Sequence, residues 1–206
     1  MDIASDPLNA TDTPTPAEPP VIRREDYTPF AWVVPETKLH FDLGIAKTTV
    51  TADLTVERNP KAEASNELRL NGDGLTATNV MVDGAASDAW RMDGPDLVVT
   101  LPGEAHMVSV TTEIAPDTNT TLMGLYASNG MLCTQCEAEG FRRITFFPDR
   151  PDVLSTYSVR MEGSKDAFPI LLCNGNNVEN GDLEDGRHFA EWHDPWPKPS
   201  YLFALV

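Results

Sequence analysis

Basic residues are scarce in this chain. Its 206 residues carry 15 Lys and Arg against 32 Asp and Glu, a formal net charge of −17. Nucleic acid and anionic membrane surfaces need basic patches, so neither is an expected partner. The acidic excess has two readings, plain solubility or a field that draws in cationic peptide ends. Cysteine is scarce as well: Cys133, Cys136 and Cys173 are the full set. An odd number without a secretory signal fits reduced thiols better than a disulfide framework. No apolar run approaches the roughly 18 to 20 residues of a membrane span. The first residues lack a basic stretch followed by an apolar one, so no secretory signal is visible and a cytoplasmic protein is expected. Amphipathic helical periodicity is missing too, and no fixed-period repeat suggests a propeller or solenoid.

What remains is a period of two. Leu39, Phe41 and Leu43 alternate with His40 and Asp42, and Val50, Ala52, Leu54 and Val56 alternate with Thr51, Asp53, Thr55 and Glu57. Both patterns predict half-buried antiparallel strands. Leu68 and Leu70 start another, and further strands are predicted over 75–82, 89–92, 96–101, 107–114, 156–162, 168–173, 177–183 and 187–192. Gly, Asn, Asp and Pro clusters separate them, including Asp83-Gly84 and Asp185-Gly186. The fold class is therefore all-β, with mostly antiparallel multi-stranded sheets and no substantial helices. A share of 41% hydrophobic residues is enough to give one domain a core.

Residues 1–25 read as a flexible leader rich in Pro and Thr, with Pro14, Pro16, Pro19 and Pro20 opposing regular structure. The β-rich domain is expected over 26–206, with Tyr27, Phe30 and Trp32 packing onto it. At the other end, Ser200 to Val206 is apolar on both faces in an extended reading, which predicts a strand buried on both sides and a chain cut just after it. The prolines of Asp194 to Ser200 predict a rigid connector into that strand.

The densest cluster of polar chemistry runs from Met131 to Asp152, MLCTQCEAEGFRRITFFPDRPD. Gln135 and Glu137 are two apart, so in an extended segment both leave one face while Cys136 and Ala138 leave the other. An amide and a carboxylate together suit a cationic group such as an ammonium. The plainer reading of Glu137 and Glu139 is a solvated turn before Gly140. Arg142, Arg143 and Arg150, with Asp149 and Asp152, read as structural ion pairs. Cys133 and Cys136 have the spacing of half a zinc knuckle, but a structural site needs a second pair, and buried inert thiols are the better reading.

The strings CTQCEAEGFRRITFFPDRPDVL, LLCNGN, DGRH and DPWPKPSYLFALV, in that order, make the chain from about Asp26 to Val206 resemble the N-terminal domain of bacterial aminopeptidase N, among the gluzincin metallopeptidases. The resemblance implies a saddle-like β domain and a Gln-x-Glu, here Gln135 and Glu137, that binds the free α-amine of a peptide substrate. It also implies a cis peptide after the matched glutamate, Glu137-Ala138, and a loop-supporting role for Glu139. The zinc motif His-Glu-x-x-His, whose two histidines share one helical face, is absent, since Phe, Met, Phe and Asp follow His40, His106, His188 and His193. So is Gly-Ala-Met-Glu-Asn, the exopeptidase signature. The implied zinc and the catalytic residues therefore belong to a following catalytic domain. This chain binds no metal, holds no catalytic residue and is inactive alone on that reading. The alternative from another class is a β-sheet binding or scaffold module without a catalytic domain.

Overall fold

The computed structural model describes residue 21 and residues 23–206. The leader expected over 1–25 falls mostly outside the described residues. In chain order the strands are β1 (Trp32–Asp42), β2 (Thr48–Arg58), β3 (Glu67–Leu70), β4 (Ala77–Val82), β5 (Ala85–Ala86), β6 (Trp90–Asp93), β7 (Asp96–Thr100), β8 (Ala105–Ile114), β9 (Gly124–Ser128), β10 (Met131–Gln135), β11 (Ser155–Ser164), β12 (Asn176–Asp182) and β13 (Arg187–Lys198). Helical structure among the described residues amounts to short 3₁₀ turns, and no helix is long and apolar enough to cross a membrane.

Eight strands form one sheet in the order β12-β13-β11-β1-β2-β8-β4-β5, with β1 and β11 parallel and the other neighbours antiparallel. A three-stranded sheet, β3-β7-β6, and the β9-β10 hairpin complete the set. The all-β, mostly antiparallel expectation holds. Register follows the period of two: Leu39 faces Ala52 and Phe41 faces Val50 on the core side, while Lys38 faces Asp53 and His40 faces Thr51 on the other. A slip by one residue would turn Leu39, Phe41, Val50 and Leu54, all at most 2% exposed, toward water. Between the sheets sits an aromatic cluster of Phe141, Phe147, Tyr157 and Phe203, with Phe141 edge-on to the other three. Edge-to-face pairs of this kind add about 0.5 to 1.5 kcal/mol each beyond burial.

Five details depart from the sequence reading. β1 begins at Trp32 and runs through Pro35, because a register shift between Val33 and Glu36 accommodates a residue with no N–H to give the ladder. Trp32 is fully buried, donates its indole N–H to the Glu67 carbonyl at 3.1 Å and stacks against Arg58, whereas Tyr27 stays exposed and bonds Asp152. Residues 168–173 form no strand, since Pro169 interrupts the donors; only Leu172 and Cys173 pair, with Val206 and Leu205. The terminal segment is likewise no strand buried on both sides. Ser200–Leu202 is a 3₁₀ turn, after which Phe203 and Leu205 are buried and Leu202, Ala204 and Val206 are exposed. Pro195 and Pro197 lie within β13, where it has passed the end of β12 and pairs with β11 alone.

Candidate functional site

The β9-β10 hairpin carries the candidate site, and its sequence explains its shape. Asn129 and Gly130 both adopt positive φ, the two-residue turn whose twist matches paired strands. Leu125 and Leu132 point into the core, which fixes the register that places Gln135 opposite Gly124 and exposes it. After Gln135 the alternation continues for two residues, Cys136 buried and Glu137 exposed. There the strand pattern stops: residues 137–140 turn, and Ala138 is exposed rather than sharing the buried side with Cys136. The Glu137–Ala138 peptide is cis.

Gly140 closes the turn by donating its N–H to the Cys136 carbonyl at 2.8 Å. A Cβ at this position would lie 2.2 Å from the Gln135 carbonyl oxygen and 2.8 Å from Cys136 Cα, so only glycine fits. Gln135 donates its side-chain amide to the Glu137 carbonyl at 3.1 Å. That bond orients the amide and leaves Oε1 as a free acceptor.

The charges around the loop are spent unevenly. Glu139 pairs with Arg142 at 3.4 Å, and Arg142 in turn pairs with Asp149 at 3.0 Å. Arg143 pairs with Asp73 at 2.6 Å and donates to Thr121. Arg150 pairs with Asp152 at 2.8 Å, and this guanidinium, ahead of the Tyr27 hydroxyl, holds the Asp152 carboxyl below its ordinary value despite partial burial. No ion pair or hydrogen bond among the described residues engages the Glu137 carboxylate. Glu137 is therefore the loop's uncompensated negative charge, next to a free amide oxygen. The pair can accept two protons of an ammonium.

The other sequence candidates do not assemble. Cys136 is 2% exposed, and burial, helped by the nearby Asp149 charge, pushes its thiol up to about 12. A thiol held protonated is a poor metal ligand or nucleophile. Each histidine has its own partner in a different place: His40 with Glu162, His106 with Asp83, His188 with the Phe168 carbonyl, His193 with Ser158. No group of three His, Cys, Asp or Glu converges among the described residues. The sequence reading missed Ser200, which donates to Asp149 at 2.5 Å from 51 positions away. It also passed over the Asn129-Gly130 turn, although that dipeptide between apolar residues is a strong local hairpin signal.

Fold and loop together define a class: a β-sheet domain whose β9-β10 hairpin leads into a turn that exposes Gln135 and Glu137. The chain belongs to the Peptidase M1 N-terminal domain family, whose profile matches residues 33–202. It is 48% identical over 198 residues to aminopeptidase N of Caulobacter vibrioides, covering 95% of this chain and 22% of that protein. It is 43% identical to aminopeptidase N of Escherichia coli, covering 92% of this chain and 22% of that protein. Among solved structures, aminopeptidase A of Legionella pneumophila in complex with aspartic acid superposes with a TM-score of 0.82 at 32% identity, over 88% of this chain and 22% of that one. The M1 zinc metallopeptidase of Deinococcus radiodurans, at 19% identity and a TM-score of 0.74 over 86% of this chain and 42% of that one, shares the fold. The chain spans about a fifth of the length of the curated relatives it matches.

Proposed function

We propose that this chain is the substrate-side N-terminal domain of a zinc-dependent aminopeptidase, contributing the anchor for the free α-amine of a peptide. The observation that carries the reading is the unpaired Glu137 carboxylate beside the free Gln135 amide oxygen, in a loop whose other charges are neutralised. Holding the first residue by its ammonium sets the register of the peptide, so that its first peptide bond is presented for cleavage. The residues described do not suit zinc, because no three donors converge and Cys136 is held protonated. The zinc of the M1 metallopeptidase relatives would belong to polypeptide outside this chain, and no part of this domain's role runs through it. That polypeptide, a following catalytic domain, and the free N-terminus of a peptide are the proposed partners. Nucleic acid and membrane are not, given the net charge of −17. A cytoplasmic setting agrees with Cys133, Cys136 and Cys173 all being free thiols.

The test is steady-state kinetics on the full-length polypeptide. Removing one partner of a buried charge pair costs roughly 3 to 5 kcal/mol, and removing a neutral acceptor that faces a charge about 1.5 to 3. At about 1.4 kcal/mol per tenfold, Glu137→Ala is expected to lower kcat/KM about a hundredfold or more, and Gln135→Ala about ten- to a hundredfold. Glu139→Ala should change it far less, and zinc content should hold in all three. Unchanged kcat/KM in Glu137→Ala, for a substrate that fails once its amine is acetylated, would return Glu137 to a solvated turn.

A further inference from the structure

We propose that Asp149 is the positioning residue of the amine anchor: it locks Arg142 so that the loop tip is fixed and Glu137 is left free for the substrate. This deepens the function proposed above and rests on it. The Asp149 side chain is 1% exposed, and three residues converge on Asp149: Arg142 from seven positions away, and Ser200 and Asn71 from distant segments. Its Oδ2 accepts the Arg142 backbone N–H at 3.2 Å and the Arg142 Nε at 3.0 Å, while its carbonyl oxygen accepts a third bond from the same guanidinium at 2.9 Å. Its Oδ1 accepts the Ser200 hydroxyl, and its own N–H is taken by the Asn71 side chain at 3.1 Å. The Arg142 carbonyl is held in turn by the Asp73 N–H at 2.9 Å.

The consequence falls on the loop. Arg142 stands in the 3₁₀ turn directly after Gly140, so fixing it fixes the C-terminal root of the turn at 137–140. The N-terminal root is Gln135, held in the β10 ladder, and the Gly140 to Cys136 bond ties the two roots together. With both ends set, Glu137, Ala138 and Glu139 have little freedom left. The charge of Arg142 matters as much as its place. Directed inward at Asp149 and sideways at Glu139, the guanidinium is not spent on Glu137. Without the Asp149 charge, Arg142 is released a few residues from the anchor and competes with the substrate ammonium for the same carboxylate.

The experiment is a double-mutant cycle on the full-length polypeptide, with kcat and KM measured for a free-amine substrate. Asp149→Asn keeps the size and removes the charge. It is expected to lower kcat/KM by about ten- to a hundredfold, the scale of a misplacement of order 1 Å. In a Glu137→Ala background the same substitution should cost less than about twofold, because the anchor it positions is already gone. Additive losses, or no loss from Asp149→Asn, overturn the assignment and leave Asp149 a structural ion pair. A Glu137→Ala variant that is itself fully active instead overturns the underlying function. If Asp149→Asn does not fold, Ser200→Ala, which removes one hydrogen bond to the same carboxylate, decides by the same coupling: a loss that vanishes in the Glu137→Ala background supports the role, and any other result refutes it.

Discussion

Three carboxylates sit around the anchor loop, and each has a different environment. Asp149 is buried and bonded on both oxygens, Glu139 is 68% exposed and paired, and Glu137 is exposed and unpaired. Sequence spacing puts Glu137 and Glu139 on an equal footing; the position of Arg142 separates them. Burial shifts three groups that titrate above neutral pH: Cys136, Tyr157 and the partly buried Cys173, whose thiol it pushes up to about 12. The Cys136 thiol is pushed up to about 12, first by burial and then by Asp149, and the Tyr157 phenol is raised by the same two causes. The stability consequence has a definite sign. Below the ordinary thiol value of 9.0, Cys136 is protonated in both folded and unfolded chains. Between there and about 12 only the unfolded chain releases the proton, so each of the two thiols, Cys136 and Cys173, lowers stability by about 1.4 kcal/mol per pH unit. Above 10.0, the ordinary phenol value, Tyr157 steepens the fall. Urea midpoints of the 206-residue chain from pH 8 to 11 are therefore expected to drop from about pH 9. Cys136→Ala should make the fall from about pH 9 shallower, with Cys173 supplying what remains, and Tyr157→Phe should flatten only the part above pH 10. A slope unchanged in Cys136→Ala would place the titrating group elsewhere.

At the scale of elements, segments held by local alternation were legible and segments held by distant partners were not. The paired strands β1 and β2 follow directly from Leu39, Phe41, Val50, Ala52 and Leu54, since period two together with a buried face permits one register. The terminal segment shows the reverse. Tyr201 to Val206 is apolar at every position, which periodicity cannot resolve into faces. Its inward side is chosen by partners far away: Phe203 stacks on Phe41, and the Leu205 backbone exchanges hydrogen bonds with Thr134. The site divides in the same way. Gln135 and Glu137 could be marked as a pair from their spacing, but the Ser200 to Asp149 bond spans 51 residues and leaves no local pattern. Alternation in this segment makes an uneven pair of outcomes expected. Phe203→Ala should cost about 3 to 5 kcal/mol, the range for a buried aromatic, and Ala204→Ser, on the exposed side, within about 0.5. Chemical denaturation of both variants measures this, and equal costs would restore a segment buried on both faces.

Across the whole molecule, two surface properties lie side by side: an acidic excess of −17 and a compact apolar patch. Met131, Ile170, Leu172 and Val206 are 55%, 68%, 47% and 50% exposed, and they rim a hollow floored by Leu132, Leu171 and Leu205. Backbone bonds between Leu172 and Val206 hold two of these segments together, and β10 supplies the third and continues directly into Gln135. A contiguous apolar surface of this sort marks a face for another protein surface, whereas scattered exposed residues do not. In the enzyme proposed here, the following domain is the natural cover, because the patch adjoins the loop that must meet the substrate at that boundary. The two settings then respond oppositely to one change. Ile170→Asp with Leu172→Asp replaces exposed side chains in the 206-residue chain, so its melting temperature should hold within the small range of surface substitutions while binding of a hydrophobic dye falls. In the full-length polypeptide, on the proposed reading, the same two carboxylates would be buried against an apolar face without partners. Each should cost on the order of 1 to 3 kcal/mol or more, seen as a lowered melting temperature and looser attachment of the domain in limited proteolysis. If the full-length polypeptide tolerates both substitutions as well as the isolated chain does, this face is open to solvent in the enzyme, and the domain boundary runs along another side of the β9-β10 hairpin.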